Sequence, residues 1–251
     1  MKNELNKILI EKFSRQIILK DIGIIGQKKI FSSKVLIIGA GGLGCPVAEY
    51  LSRAGIGKIG IVDNDKIELS NIHRQSLFGT PDIGKLKVEV VKNKIKLINS
   101  NTKVKAYKIR LNKKNFEKII NEYDYIVDGS DNFQTKFLLN DTCLKYKKNL
   151  FTGAVSKFDG HIFNFNFKKK IPCLRCFFQD LEPSEDFLNC ESEGILGTTA
   201  GAVGIILTNE ILKKILKIGK ELNNYILILN FFNLSFRKVK ISKYKKCICN
   251  K

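Results

Sequence analysis

Histidine is scarce: the 251-residue sequence has only two, His73 and His161. Both read as structural residues, so a mechanism built on a histidine base is not expected. Long apolar runs are also missing. None approaches the ~18 residues that a bilayer-spanning helix requires. The first thirteen residues, Met1 to Phe13, mix charges through their apolar positions and have no signal-peptide core followed by a small-residue cleavage site. A cytoplasmic protein with no membrane partner is the expectation. Internal repeats and low-complexity linkers are absent as well. The cysteine count is odd, and with no secretion signal that argues against a disulfide framework.

What is present begins with charge. Lys and Arg number 44 against 24 Asp and Glu, a formal net charge of +20. Such a surplus can mark a nucleic-acid partner. Here the lysines are scattered in ones and twos, the longest run being Lys168 to Lys170. A compositional bias toward lysine explains this better, and no nucleic acid is expected. A second use of the surplus is to speed encounter with an acidic protein.

The apolar pattern predicts an α/β fold. Lys34 to Ile38 is a continuous apolar run ending at Gly39, suited to a buried parallel strand. Leu43 to Ala54 reads as a helix closed by Gly55 and Gly57. Further strands are expected at Lys58 to Val62, Val104 to Leu111, Tyr125 to Val127 and Leu150 to Val155. Helices are expected between them at Val88 to Ile98, Phe116 to Asn121 and Phe133 to Tyr146. Strands alternating with helices mean a Rossmann-like, doubly wound, mostly parallel sheet. After Gly160 the pattern changes. His161 to Phe167 and Phe236 to Ile241 alternate apolar and polar residues, as antiparallel strands with one solvated face would, around an apolar helix from about Ala200 to Ile218. One domain over residues 1–251 is expected, with a nucleotide-binding part at about 13–155 and a partner-binding, Cys-rich part at about 156–251.

Gly39–Ala40–Gly41–Gly42–Leu43–Gly44 fits G-x-G-x-x-G between a strand and a helix. The glycines let the backbone approach a ligand closely, and the helix N-terminus favours negative charge. Asp63, ending the next strand, can accept the hydroxyls of a ribose. So far NAD and ATP fit equally. Ser70–Asn71, Arg74 and Lys87 follow, and Asp131–Asn132 comes after the fourth strand. Hydride transfer has no use for cations beside a strand-end carboxylate. Adenylyl transfer does, since Arg and Lys neutralise a triphosphate while a carboxylate holds Mg²⁺.

Arg15–Gln16–Ile17, the glycine loop, Asp63–Asn64–Asp65, Ser70–Asn71 with Arg74–Gln75, Lys87, Asp131–Asn132 and Cys173–Leu174–Arg175–Cys176 occur together and in order. In this the chain resembles the MoeB/ThiF/HesA family, bacterial relatives of the ubiquitin-activating enzymes, from about Phe13 onward. The resemblance implies a homodimer that binds MgATP and adenylates the Gly-Gly tail of a small ubiquitin-fold sulfur carrier, MoaD-like or ThiS-like. It assigns Gly39, Gly41 and Gly42 to the nucleotide loop, Asp63 to ribose, Ser70, Asn71, Arg74 and Lys87 to the phosphates, and Asp131 with Asn132 to Mg²⁺. Arg15 would reach the neighbouring subunit's ATP. Singly, Arg74 or Lys87 could be a solvated charge and Asp131 a helix N-cap.

Cys173-x-x-Cys176 is half of a tetrathiolate zinc site, and the resemblance places the other half near the C-terminus. There the sequence offers Cys247–Ile248–Cys249, one residue short of the usual spacing. A four-cysteine Zn²⁺ site and a loose tail both remain open. Cys190 matches a loop cysteine that in the family can bond to the carrier; an inert thiol is the other reading. Cys45 and Cys143 fall in expected helices and read as core. No sulfurtransferase segment is recognised, so a separate sulfur donor is expected. Two other functions stay in view: an NAD-dependent oxidoreductase, and a non-catalytic module that binds a ubiquitin-fold protein.

Overall fold

The computed structural model describes residues 7–179 and 194–250. Its frame is one eight-stranded sheet in the order β3-β2-β1-β4-β5-β6-β7-β8. The strands are β1 (Lys34–Ile38), β2 (Lys58–Val62), β3 (Lys103–Tyr107), β4 (Tyr125–Asp128), β5 (Asn149–Ser156), β6 (Asp159–Asn166), β7 (Tyr225–Asn230) and β8 (Ser235–Lys240). From β3 to β5 every pairing is parallel, and from β5 to β8 every pairing is antiparallel.

Parallel strands need crossover helices, and these cover both faces. Short helices α1 (Lys7–Lys12) and α2 (Ser14–Ile17) lead into α3 (Gly23–Ser32). Then come α4 (Gly44–Ala54), α5 (Lys87–Ile98), α6 (Lys113–Ile119), α7 (Phe133–Lys145), α8 (Leu174–Phe177) and α9 (Gly197–Leu216). Side chains alternate across β1: Val35 and Ile37 join the core under α4, α5 and α9, while Leu36 and Ile38 join that under α6, α7 and α8. Gly55 ends α4 in the left-handed region at φ 94°, in keeping with its expected place as a helix stop.

Three expectations need correction. Strand β3 stops at Tyr107 rather than Leu111. Strand β6 is not solvated on one face: most of it is buried, because α9 packs on one side and a cluster of Phe163, Phe165, Phe177 and Phe178 fills the other. Strand β8 departs the other way, with all six residues exposed, since nothing among the described residues covers it. Strand β7, which the sequence pattern does not signal, lies between β6 and β8.

Candidate active site

Strand order decides where a ligand fits. The chain proceeds from β1 to β2 on one side and later to β4 on the other, so the loops after β1 and β4 diverge and leave a crevice at their carboxyl ends. Ile38 registers with both Val62 and Asp128, which brings the ends of β2, β1 and β4 level. The three loops that follow carry the glycines, Asp63 and Asp131.

Gly39 turns at φ 90°, and a Cβ there would lie 2.8 Å from the Gly129 carbonyl oxygen. The glycine loop and the loop after β4 thus touch backbone to backbone. Asp63 closes the other side: its Oδ2 accepts from Ala40 N at 2.8 Å and its Oδ1 from Asp65 N at 2.8 Å. Burial raises the Asp63 carboxyl above its ordinary range, opposed by those two amides and by the Lys87 charge. Lys87 is nearly buried at the start of α5 and donates to Asp65 Oδ2 at 3.1 Å.

The segment 69–75 supplies a cation. Leu69–Asn71 forms one 3-10 turn, in which Asn71 Oδ1 accepts from Glu68 N, leaving the donor end of that side chain for a ligand. Arg74 lies beside Gly42, where a Cβ would stand 3.6 Å from Arg74 Cγ. Its Nη1 donates to Ser70 O at 2.7 Å and meets His73 Nε2 at 2.9 Å. Arginine is only a donor, so that contact requires His73 to present an unprotonated Nε2. His73 thus touches the candidate phosphate-binding arginine. The start of α9 abuts the same segment, leaving no room for a Cβ between Gly197 and His73 O. Close by, Gln75 Oε1 and Thr199 Oγ1 are buried without partners among the described residues.

After β4, Asn132 Oδ1 accepts from Thr135 N at 2.8 Å and caps α7. The N-cap therefore belongs to Asn132, and among the described residues the exposed Asp131 carboxylate is engaged only by Asn132 Nδ2 at 3.2 Å. Beneath them lies a buried ion pair that no motif signals. Fully buried Asp128 takes Ser130 N and Oγ on Oδ1 and Lys136 Nζ, at 3.2 Å, on Oδ2. Lys136 Nζ also donates to Gly153 O at 2.7 Å.

Arg15 stands apart. It is exposed on α2 and makes no ion pair among the described residues. Exposed Ile18, Leu19, Ile24 and Ile25 lie on the neighbouring segment. Cys190 lies outside the described residues. Cys45 and Cys143 are buried, and burial pushes the Cys45 thiol up to about 12, which makes it inert.

Cys173, Cys176, Cys247 and Cys249 converge, with all four sulfurs within 4.8 Å of one another. Cys173 and Cys247 are 3.4 Å apart, as are Cys176 and Cys249. Tetrahedral Zn–S bonds of about 2.3 Å imply S···S edges of about 3.8 Å, so the donor set fits zinc in number, type and size. The short C-x-C spacing is met by a 3-10 turn at Ile248–Asn250.

Comparison with known proteins agrees with this geometry. Residues 13–251 match the ThiF family. The chain is 37% identical over 242 residues to the sulfur carrier protein adenylyltransferase of Thermus thermophilus, covering 95% of this chain and 89% of that protein. It is 40% identical over 247 residues to the adenylyltransferase and sulfurtransferase MOCS3 of Aedes aegypti, covering 98% of this chain and 56% of the relative. The chain thus spans about half the length of that relative. Among solved structures, E. coli MccB with AMPCPP and MccA superimposes with a TM-score of 0.83 at 22% identity, covering 99% of this chain and 76% of the other.

Proposed function

The chain belongs to the ThiF family, and from that premise we propose that it transfers AMP from ATP to the C-terminal carboxylate of a small ubiquitin-fold sulfur carrier. The observation that carries this reading is the level arrangement of the glycine loop, Asp63 and Asp131 at the ends of β2, β1 and β4, with Arg74 beside Gly42. Asp63 would accept the ribose hydroxyls, and the glycine loop with the α4 N-terminus would face the phosphates. Ser70, Asn71, Arg74 and Lys87 would serve the polyphosphate; Arg74 and Lys87 would exchange Ser70 O and Asp65 for phosphate oxygens. The carrier's carboxylate attacks the α-phosphorus in line and pyrophosphate leaves. The nucleophile is already ionised near neutral pH, so no general base is needed. Catalysis is positioning and charge neutralisation. Asp131 with Asn132 would hold Mg²⁺, which when bound withdraws charge from the phosphates.

The antiparallel half suits a protein partner. Phe158 and Phe232 pack edge to face at 5.3 Å and stay exposed, with Leu196, Leu234 and Phe236 also exposed. Lys157 O accepts from Leu196 N, which joins this apolar patch to the start of α9 and so to Arg74. Arg237, Lys238 and Lys240 on β8 add positive charge suited to an acidic carrier. Exposed Ile18, Leu19, Ile24 and Ile25 around Arg15 support a homodimer in which Arg15 serves the partner's ATP. The four cysteines would hold a structural Zn²⁺. Cys190 would act only after the acyl-adenylate exists, in a sulfur-transfer step fed by a separate donor. MoaD-like and ThiS-like carriers, of molybdopterin and thiamin-thiazole sulfur transfer, share the required tail.

Isotope exchange between ATP and pyrophosphate tests the reading. Exchange should require a carrier ending in Gly-Gly and should persist in Cys190→Ala. Exchange driven by free amino acids and by no carrier would overturn it.

A further inference from the structure

Lys136 is the one buried cation near the crevice, among the described residues, that the adenylation reading leaves without a role. It sits on the first turn of α7 with its side chain almost wholly buried against an Asp128 that is wholly buried. Such a pair is poor evidence for stability, because apolar residues of the same volume often serve a fold as well or better. Its contacts suggest another use. Asp128 holds Ser130 through both backbone N and Oγ on one oxygen, and Lys136 on the other. Lys136 in turn reaches Gly153 O in β5. The turn 128–130 is thereby fixed to α7 and to the next strand.

That turn is also pressed against the nucleotide loop. Gly129 N donates to Ile38 O at 2.9 Å, and there is no room for a Cβ between Gly39 and Gly129. On its far side, Asn132 is fixed by capping α7. Asp131 therefore stands between two anchored points, which hold its backbone in place relative to the glycine loop. We propose that Lys136 is a positioning residue: through Asp128 and Gly153 O it sets where Asp131 meets a divalent cation carried by the nucleotide. The proposal rests on the adenylation reading and deepens it.

Calorimetric titration of ATP with and without Mg²⁺ provides the test, and needs no turnover. For the unmodified chain, Mg²⁺ should tighten ATP binding. Lys136→Met should lose about ten- to a hundredfold of that Mg²⁺-dependent increment, the range seen when groups supporting a metal ligand are removed. ATP binding without Mg²⁺ should be unchanged, and Lys136→Arg should retain the increment. Because Lys136→Met leaves Asp128 buried and unpaired, the double variant Asp128→Asn/Lys136→Met is the deciding one. It removes both charges and should recover the melting temperature yet still lack the increment. A full increment in the double variant would show that the pair only balances charge, and would overturn the proposal. If the unmodified chain bound no ATP at all, the adenylation reading itself would fall, a result separable from the first.

Discussion

Burial of Asp63 gives the site a pH dependence whose sign can be worked out. Its carboxyl is raised above the ordinary range, so on acidification the folded chain takes up this proton before the unfolded chain does. That contribution to stability is fully present below the unfolded value of about 3.9 and is lost as pH rises through the folded value. In the ribose-binding role proposed for Asp63, ligand binding runs the opposite way, since ribose hydroxyls need the ionised form as acceptor. ATP affinity should therefore fall on acidification at a higher pH than an exposed aspartate would impose. Titration across a pH series should show that limb, and Asp63→Asn should flatten it while weakening ATP at neutral pH. The place of Asp63 can be read from the sequence because it directly follows the apolar run of β2, next to the strand that leads into the glycine loop. Lys136 cannot: a lysine in an amphipathic helix looks the same in sequence whether it is solvated or, as here, buried on Asp128. His73 escapes sequence reasoning for a similar reason, since its contact with Arg74 depends on a turn, not on a motif.

At the level of elements, β1, β2 and β4 are legible because a buried parallel strand is an uninterrupted apolar run closed by Gly or Asp. Strand β7 is not, although Tyr225–Asn230 also carries an uninterrupted apolar run. It follows the α9 helix closely, and a short apolar run cannot be told from helix by periodicity alone. Strand β6 misleads because its polar positions, Asn164 and Asn166, are buried under α9 rather than solvated. The cysteine cluster is half legible, since pairing Cys173 with Cys247 spans 74 residues. If zinc fills it, the ligation fastens the end of β8 and its following turn to the α8 loop. Cys173→Ser should then release zinc, measured by metal analysis, and lower the melting temperature, by about 2–4 °C for each kcal/mol lost in a chain of this size. A chelator should lower the unmodified chain to the same point and leave the variant unmoved.

For the whole molecule, the placement of Arg15 bears on the proposed homodimer. It lies on a helix before the first strand, among exposed isoleucines and leucine, with no ion pair among the described residues. Mixed dimers of Arg15→Ala and Asp131→Ala subunits should recover activity that neither variant has alone. One site of each mixed dimer lacks both groups and the other keeps both, so up to half of normal activity could return. Native mass spectrometry can establish that subunits have exchanged; inactive mixed dimers would remove Arg15 from the partner's site. The bare strand β8 has a different consequence for the same molecule. Among the described residues nothing pairs with its outer edge, which carries Phe236 and Val239; such an edge is a template for another copy of itself and leads chains to associate. Its Arg237, Lys238 and Lys240 put like charges on any two such edges that approach. The basic residues that would greet an acidic carrier thus also keep unloaded molecules apart. High salt, which screens that repulsion, should make the free protein self-associate, and a bound carrier should protect it.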